Sequence, residues 1–147
     1  MTLGSTGRQD QPLPELRDLD QPFPFNIRLY NRPYRFEFYD TASPTNYTLL
    51  KPSVIILCYN IGDPDSLLSV RKKWKLAVET HFNYDESLPV IVLGLQRDVR
   101  SKRSDYDGKI DDRRTFVYPQ EALKAAQEMR CDRYCECSAL TGEVRSF

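Results

Sequence analysis

Short apolar runs punctuate an otherwise polar chain at Val54–Tyr59 (V-I-I-L-C-Y), Val90–Leu93 and Tyr134–Cys137. Runs of this length, dense in Val and Ile and separated by helix-like segments, predict parallel strands buried on both faces. After the first run, Leu67, Val70, Trp74, Ala77, Val78 and His81 recur at helical spacing, while Arg71, Lys72, Lys73 and Lys75 fall mostly on other faces. Gly62 and Pro64 mark the preceding loop, and Asp63 or Asp65 serves as the N-cap. A second helix starts at Pro119, a favoured first-turn position, with Ala122, Leu123, Ala125, Ala126 and Met129 on its buried side. Upstream the period drops to two. Phe25, Ile27 and Leu29 alternate with Asn26, Arg28 and Tyr30, and Tyr34, Phe36 and Phe38 alternate with Arg35 and Glu37. These runs predict a β-hairpin that turns at Asn31-Arg32-Pro33 and delivers Asp40 to a loop. The fold class is α/β, and its ligand rim lies at the carboxyl ends of the strands.

The intervening stretches are polar. Residues 1–24 read as a disordered arm, with Pro12, Pro14 and many charges but little to bury. Within it, Gly4-Ser-Thr-Gly7 has the glycines of a phosphate loop but neither the Lys-Ser/Thr pair nor a preceding strand. Thr41–Leu50 is irregular, and Pro44 excludes a helix interior. Gly94 opens a turn into Leu95-Gln96-Arg97-Asp98, and from Val99 to Phe116 a charged excursion is expected, exposed and helical in part at most. Thr141-Gly142 reads as a turn.

Charge and cysteine usage narrow the functions. The 147 residues carry 21 basic and 21 acidic side chains, so no net field draws nucleic acid or an anionic membrane. The basic runs at Arg71–Lys75 and Arg97–Arg103 are offset by Asp98, Asp105, Asp107, Asp111 and Asp112. Cys58, Cys131, Cys135 and Cys137 follow no secretory h-region, so they read as reduced, buried or half-buried thiols of a cytoplasmic protein. Cys135 and Cys137 share a strand face, with no paired Cys-x-x-Cys and no partner histidine for a zinc site. No apolar run approaches a membrane span, and Glu143–Phe147 carries no prenylation signal, so no membrane anchor is expected.

Several of these stretches together resemble the Rho branch of the Ras-like small GTPases. The resemblance rests on Asp40-Thr41-Ala42, on Val90–Gly94 leading into Leu95-Gln96-Arg97-Asp98, and above all on Tyr118-Pro119-Gln120-Glu121-Ala122 with Glu136-Cys137-Ser138-Ala139-Leu140-Thr141. Residues Val99–Val117 occupy the place of the family's extra charged segment. The resemblance implies a partial Ras-like three-layer sheet with a Rho-type insertion over 25–147, an incomplete G domain lacking the first strand, first helix and last helix. It implies GTP or GDP and Mg²⁺ as ligands, and regulator or effector proteins as partners.

Carried over residue by residue, Asp98 is the guanine-reading carboxylate, and Gln96 stands where a lysine stem packs along the base. Ser138 and Ala139 form the loop that contacts guanine O6 and supports the aspartate, and Asp40 is the carboxylate that holds Mg²⁺ through water. The phosphate side departs from the family. Ser43 replaces the glycine after DTA, Pro44 replaces the glutamine that orients attacking water, and Asp18 stands near the switch threonine. A phosphate loop has no counterpart, so the expectation is an incomplete product that retains base recognition without hydrolysis. A nucleotide-independent interaction module is the alternative. Loss of the helices that cover one sheet face predicts exposed apolar surface.

Overall fold

The structure, a computed structural model, describes residues 22–40, 50–82, 87–104 and 116–147. The expectations for the arm up to residue 21, for Ser43 and Pro44, and for the excursion over 105–115 lie outside the described residues. The chain divides into two compact units, one holding the hairpin within Thr6–Lys51 and one comprising the α/β body Pro52–Phe147.

In the first unit, β1 (Phe23–Leu29) pairs antiparallel with β2 (Arg32–Phe38). β1 takes in Phe23 and Pro24, which the arm was expected to include. The turn is Tyr30-Asn31, not Asn31-Arg32-Pro33, and both residues are left-handed, with φ of 47° and 63°. That geometry is a two-residue hairpin turn whose twist matches the strands. Pro33 lies inside β2 opposite Arg28, one pair beyond the closing pair Leu29–Arg32. Pairs at that step exchange no hydrogen bonds, so proline's missing N–H is not needed there.

The second unit is a sheet of β3 (Ile55–Asn60), β4 (Val90–Leu95), β5 (Arg133–Ser138) and β6 (Glu143–Ser146), in that order. The first three are parallel and β6 runs antiparallel to β5. β4 extends through Gly94, which pairs with Tyr59 and Glu136, so this glycine sits in a strand rather than opening a turn. A Cβ there would stand 2.8 Å from the Tyr59 hydroxyl oxygen and 3.1 Å from Ile61 Cδ1, which leaves room only for hydrogen. β6 was not foreseen. Gly142, at φ 69°, turns the chain back, and the Phe147 ring stacks on Tyr134 at 5.2 Å.

The helices that hold Leu67, Val78 and Ala122 pack on one face of the sheet. Asp63 caps α1 (Pro64–Ser69), its Oδ1 accepting from Asp65 N–H at 3.1 Å. A π turn over Val70–Trp74 joins α1 to α2 (Lys75–His81). The widened turn sets every later position back by about one residue, or ~100°. Lys75 therefore lands on the buried side, 9 % exposed, instead of on the outer face, and pairs with Glu79 at 3.3 Å. α3 (Val99–Ser104) follows β4, and α4 (Pro119–Glu128) precedes β5. α4 ends with Arg130 left-handed at φ 53°, while Cys131 N–H donates to Ala126 O and Arg130 N–H to Gln127 O, both at 3.0 Å. These bonds form a Schellman cap without its usual glycine.

Leu67, Val70 and Val78 join Ala122, Ala125, Ala126 and Met129 in one cluster with Leu57, Tyr59, Val90, Val92 and Tyr134. Because both helical layers cover the same face, the strands are not buried on both. Ile56 is 41 % exposed, Cys58 is exposed rather than buried, and Ile91, Leu93, Cys135 and Cys137 are half-buried on the open face. Val117, at the end of the charged stretch, is 1 % exposed, and its N–H donates to Ile61 O at 2.8 Å.

Candidate functional site

The carboxyl ends of β4 and β5 each feed a loop, and an open hollow of about 460 Å³ lies between them. Gln96 and Asp98 line one side, Ala139 and Leu140 the other, and Leu95, Val99 and Cys137 supply apolar lining. Its size and its mix of apolar walls with a few polar groups fall within the range of small-molecule sites.

Gln96 adopts φ 60°, a conformation a side chain disfavours, and this reverses the chain as it leaves β4. Its carbonyl accepts from Val99 N–H at 3.0 Å, and Asp98 O accepts from Ser101 N–H at 3.1 Å, which starts α3. The same turn lets Arg97 N–H donate to Cys137 O at 3.0 Å. Ser138, 3 % exposed, donates its hydroxyl to Asp98 Oδ1 at 2.7 Å, and its Oγ accepts from Thr141 N–H at 3.2 Å. Asp98 meets the hollow as a carboxylate oriented by the serine. The structure thus brings together Gln96, Asp98 and Ala139 at the hollow, with Ser138 behind the aspartate. Asp40 is exposed just after β2 and belongs to the other compact unit.

Sequence reasoning missed what lies beneath this loop. Glu136, fully buried, accepts from Arg100 Nη1 at 2.6 Å and Nη2 at 2.7 Å, and from the Tyr134 hydroxyl. Arg97 approaches it at 3.7 Å and also pairs with Glu143 of β6. Arg100 spends its remaining reach on Val117 O, through Nε at 2.9 Å and Nη2 at 2.6 Å. Burial works against the guanidinium charge, but the Glu136 carboxylate outweighs it and holds Arg100 above its ordinary pKa. Tyr59 and Tyr134 extend the network, hydroxyl to hydroxyl, at 2.9 Å. A signal was available. Glu136 falls at an inward-facing position of the strand that Tyr134 and Ser138 also line, and a buried carboxylate demands a cationic partner.

Burial raises the pKa of the Cys137 thiol, which keeps it protonated and weakly nucleophilic. Among the described residues no three His, Cys, Asp or Glu side chains gather as a metal set. Asp40, an exposed carboxylate, stands alone at the end of the hairpin among the described residues of its stretch. No helix among the described residues is long and apolar enough to cross a membrane. Residues 23–145 match the sequence profile of the Ras family, a span that takes in the hairpin, the sheet and both loops of the hollow. The chain belongs to the Ras family of small GTPases.

Proposed function

We propose that this chain is a Rho-branch member whose retained chemistry is recognition of a guanine base, in a cytoplasmic signalling protein that meets regulators or effectors. The observation that carries the reading is the 2.7 Å hydrogen bond from Ser138 to Asp98, which joins the two loops and presents a carboxylate at the hollow. Asp98 accepts from guanine N1–H and the exocyclic amine, a donor pair that adenine lacks. Gln96 covers the ring without a charge, and Ala139 offers its backbone N–H to O6. The branch rests on Tyr118–Ala122, on Glu136–Thr141 and on the charged stretch after Asp98.

Calorimetric titration of the full chain with GDP and ADP tests this. Asp98→Ala is expected to erase the guanine preference, since the unpaired base donors cost about 1–3 kcal/mol. A preference left intact by that substitution would remove Asp98 from the role. Ser43 and Pro44, where the family has glycine and glutamine, favour a second reading, a nucleotide-independent interaction module without hydrolysis. Partner binding that responds strongly to nucleotide and Mg²⁺ would refute that second reading.

A further inference from the structure

Resting on the guanine reading, we infer that Arg100 and Glu136 are positioning residues for Asp98, an internal clamp that fixes the base-reading carboxylate against Ser138. Three successive residues of β5 hold the loop after β4. Glu136 takes Arg100 at 2.6 and 2.7 Å, Cys137 O takes Arg97 N–H at 3.0 Å, and Ser138 donates to Asp98 at 2.7 Å. Arg100 lies only two residues beyond Asp98 in the first turn of α3, so its anchorage sets where that turn begins.

Stability alone is a poor reason for this arrangement. Glu136 is 0 % exposed, and a buried ion pair often does no better than apolar side chains of the same shape. What the pair gives is direction. A planar guanidinium bridges both carboxylate oxygens and Val117 O at once, whereas a lysine ammonium has neither the fork nor the reach for all of them. The Val117 bond also ties the clamp to Ile61, at the carboxyl end of β3, through Val117 N–H. The loop that reads the base is thereby referenced to the ends of β3 and β5 together.

The test uses the full chain with ¹³C-labelled aspartate. The Asp98 side-chain signal is identified by its loss in Asp98→Ala and followed in Arg100→Lys and Glu136→Gln. The second substitution keeps the side-chain shape, in case the first does not fold. Displacement of the Asp98 signal is expected in both, with roughly a tenfold fall in the GDP-over-ADP preference. Arg71→Lys, in the surface pair with Glu128, should leave both readouts in place. An Asp98 signal at its wild-type position in a folded Arg100→Lys or Glu136→Gln protein overturns the clamp. A displaced signal in a chain whose wild type does not separate GDP from ADP supports the clamp and removes the guanine reading, so the two failures are distinct.

Discussion

Tyr59 holds its proton up to about pH 12 because burial opposes the phenolate, and burial together with Glu136 raises Tyr134 as well. An unfolded tyrosine ionises near pH 10. Below that pH both states keep the proton and these groups add no pH dependence. Above it the unfolded chain loses protons that the folded chain retains, so stability falls as pH rises, by about 1.4 kcal/mol per unit for each such tyrosine. Urea unfolding between pH 9 and 12 should show this decline, and Tyr59→Phe should make it shallower. Equal slopes for the two proteins would mean that Tyr59 ionises as readily folded as unfolded. At this scale the resemblance singled out Asp98 and Ser138, which the structure joins by a hydrogen bond. Glu136 could be read as an inward-facing carboxylate in need of a cation, but its partner Arg100 could not, since it lies 36 positions away.

Among elements, the hairpin shows both sides of what a pattern can convey. Its alternation located β1 and β2, but the proline pulled the expected turn one residue downstream. Whether a missing N–H matters depends on the hydrogen-bonding step, which the register fixes and the sequence does not display. Tyr30 is fully exposed in a left-handed conformation, so its side chain gains nothing there to offset the strain. Tyr30→Asn should stabilise the hairpin by up to about 1 kcal/mol, seen as a later denaturation midpoint of its amide signals. An unmoved midpoint would place the turn elsewhere. β6 escaped notice because its four exposed residues carry no pattern of their own, only the edge of β5 to pair with.

At the scale of the molecule, the proposed guanine reading stands beside a sequence whose 147 residues contain no phosphate-loop pattern with its Lys-Ser/Thr pair. GMP, GDP and GTP should therefore bind within about threefold of one another, a spread below ~1 kcal/mol, when titrated under the same salt. Affinity that climbs steeply with phosphate number would reveal a phosphate contact elsewhere in the chain. The open sheet face was legible in advance, because the stretches that resemble the family include no helix to cover it, and Ile56 and Cys58 are exposed there. The single-face burial also explains why continuous apolar runs misled about the strands. Their outward residues are apolar without being enclosed.

The π turn at Val70–Trp74 places one residue more in this helix than an unbroken α-helix of the same span would hold. Leu67 before it, Val70 at its start and Val78 after it share one interior, and the surplus residue brings Lys75 to the same side. A relative lacking one residue there would keep the same interior on an unbroken α-helix. Aligned with it, this chain would carry a one-residue insertion in the middle of a helix, a place where length changes are otherwise expelled to loops.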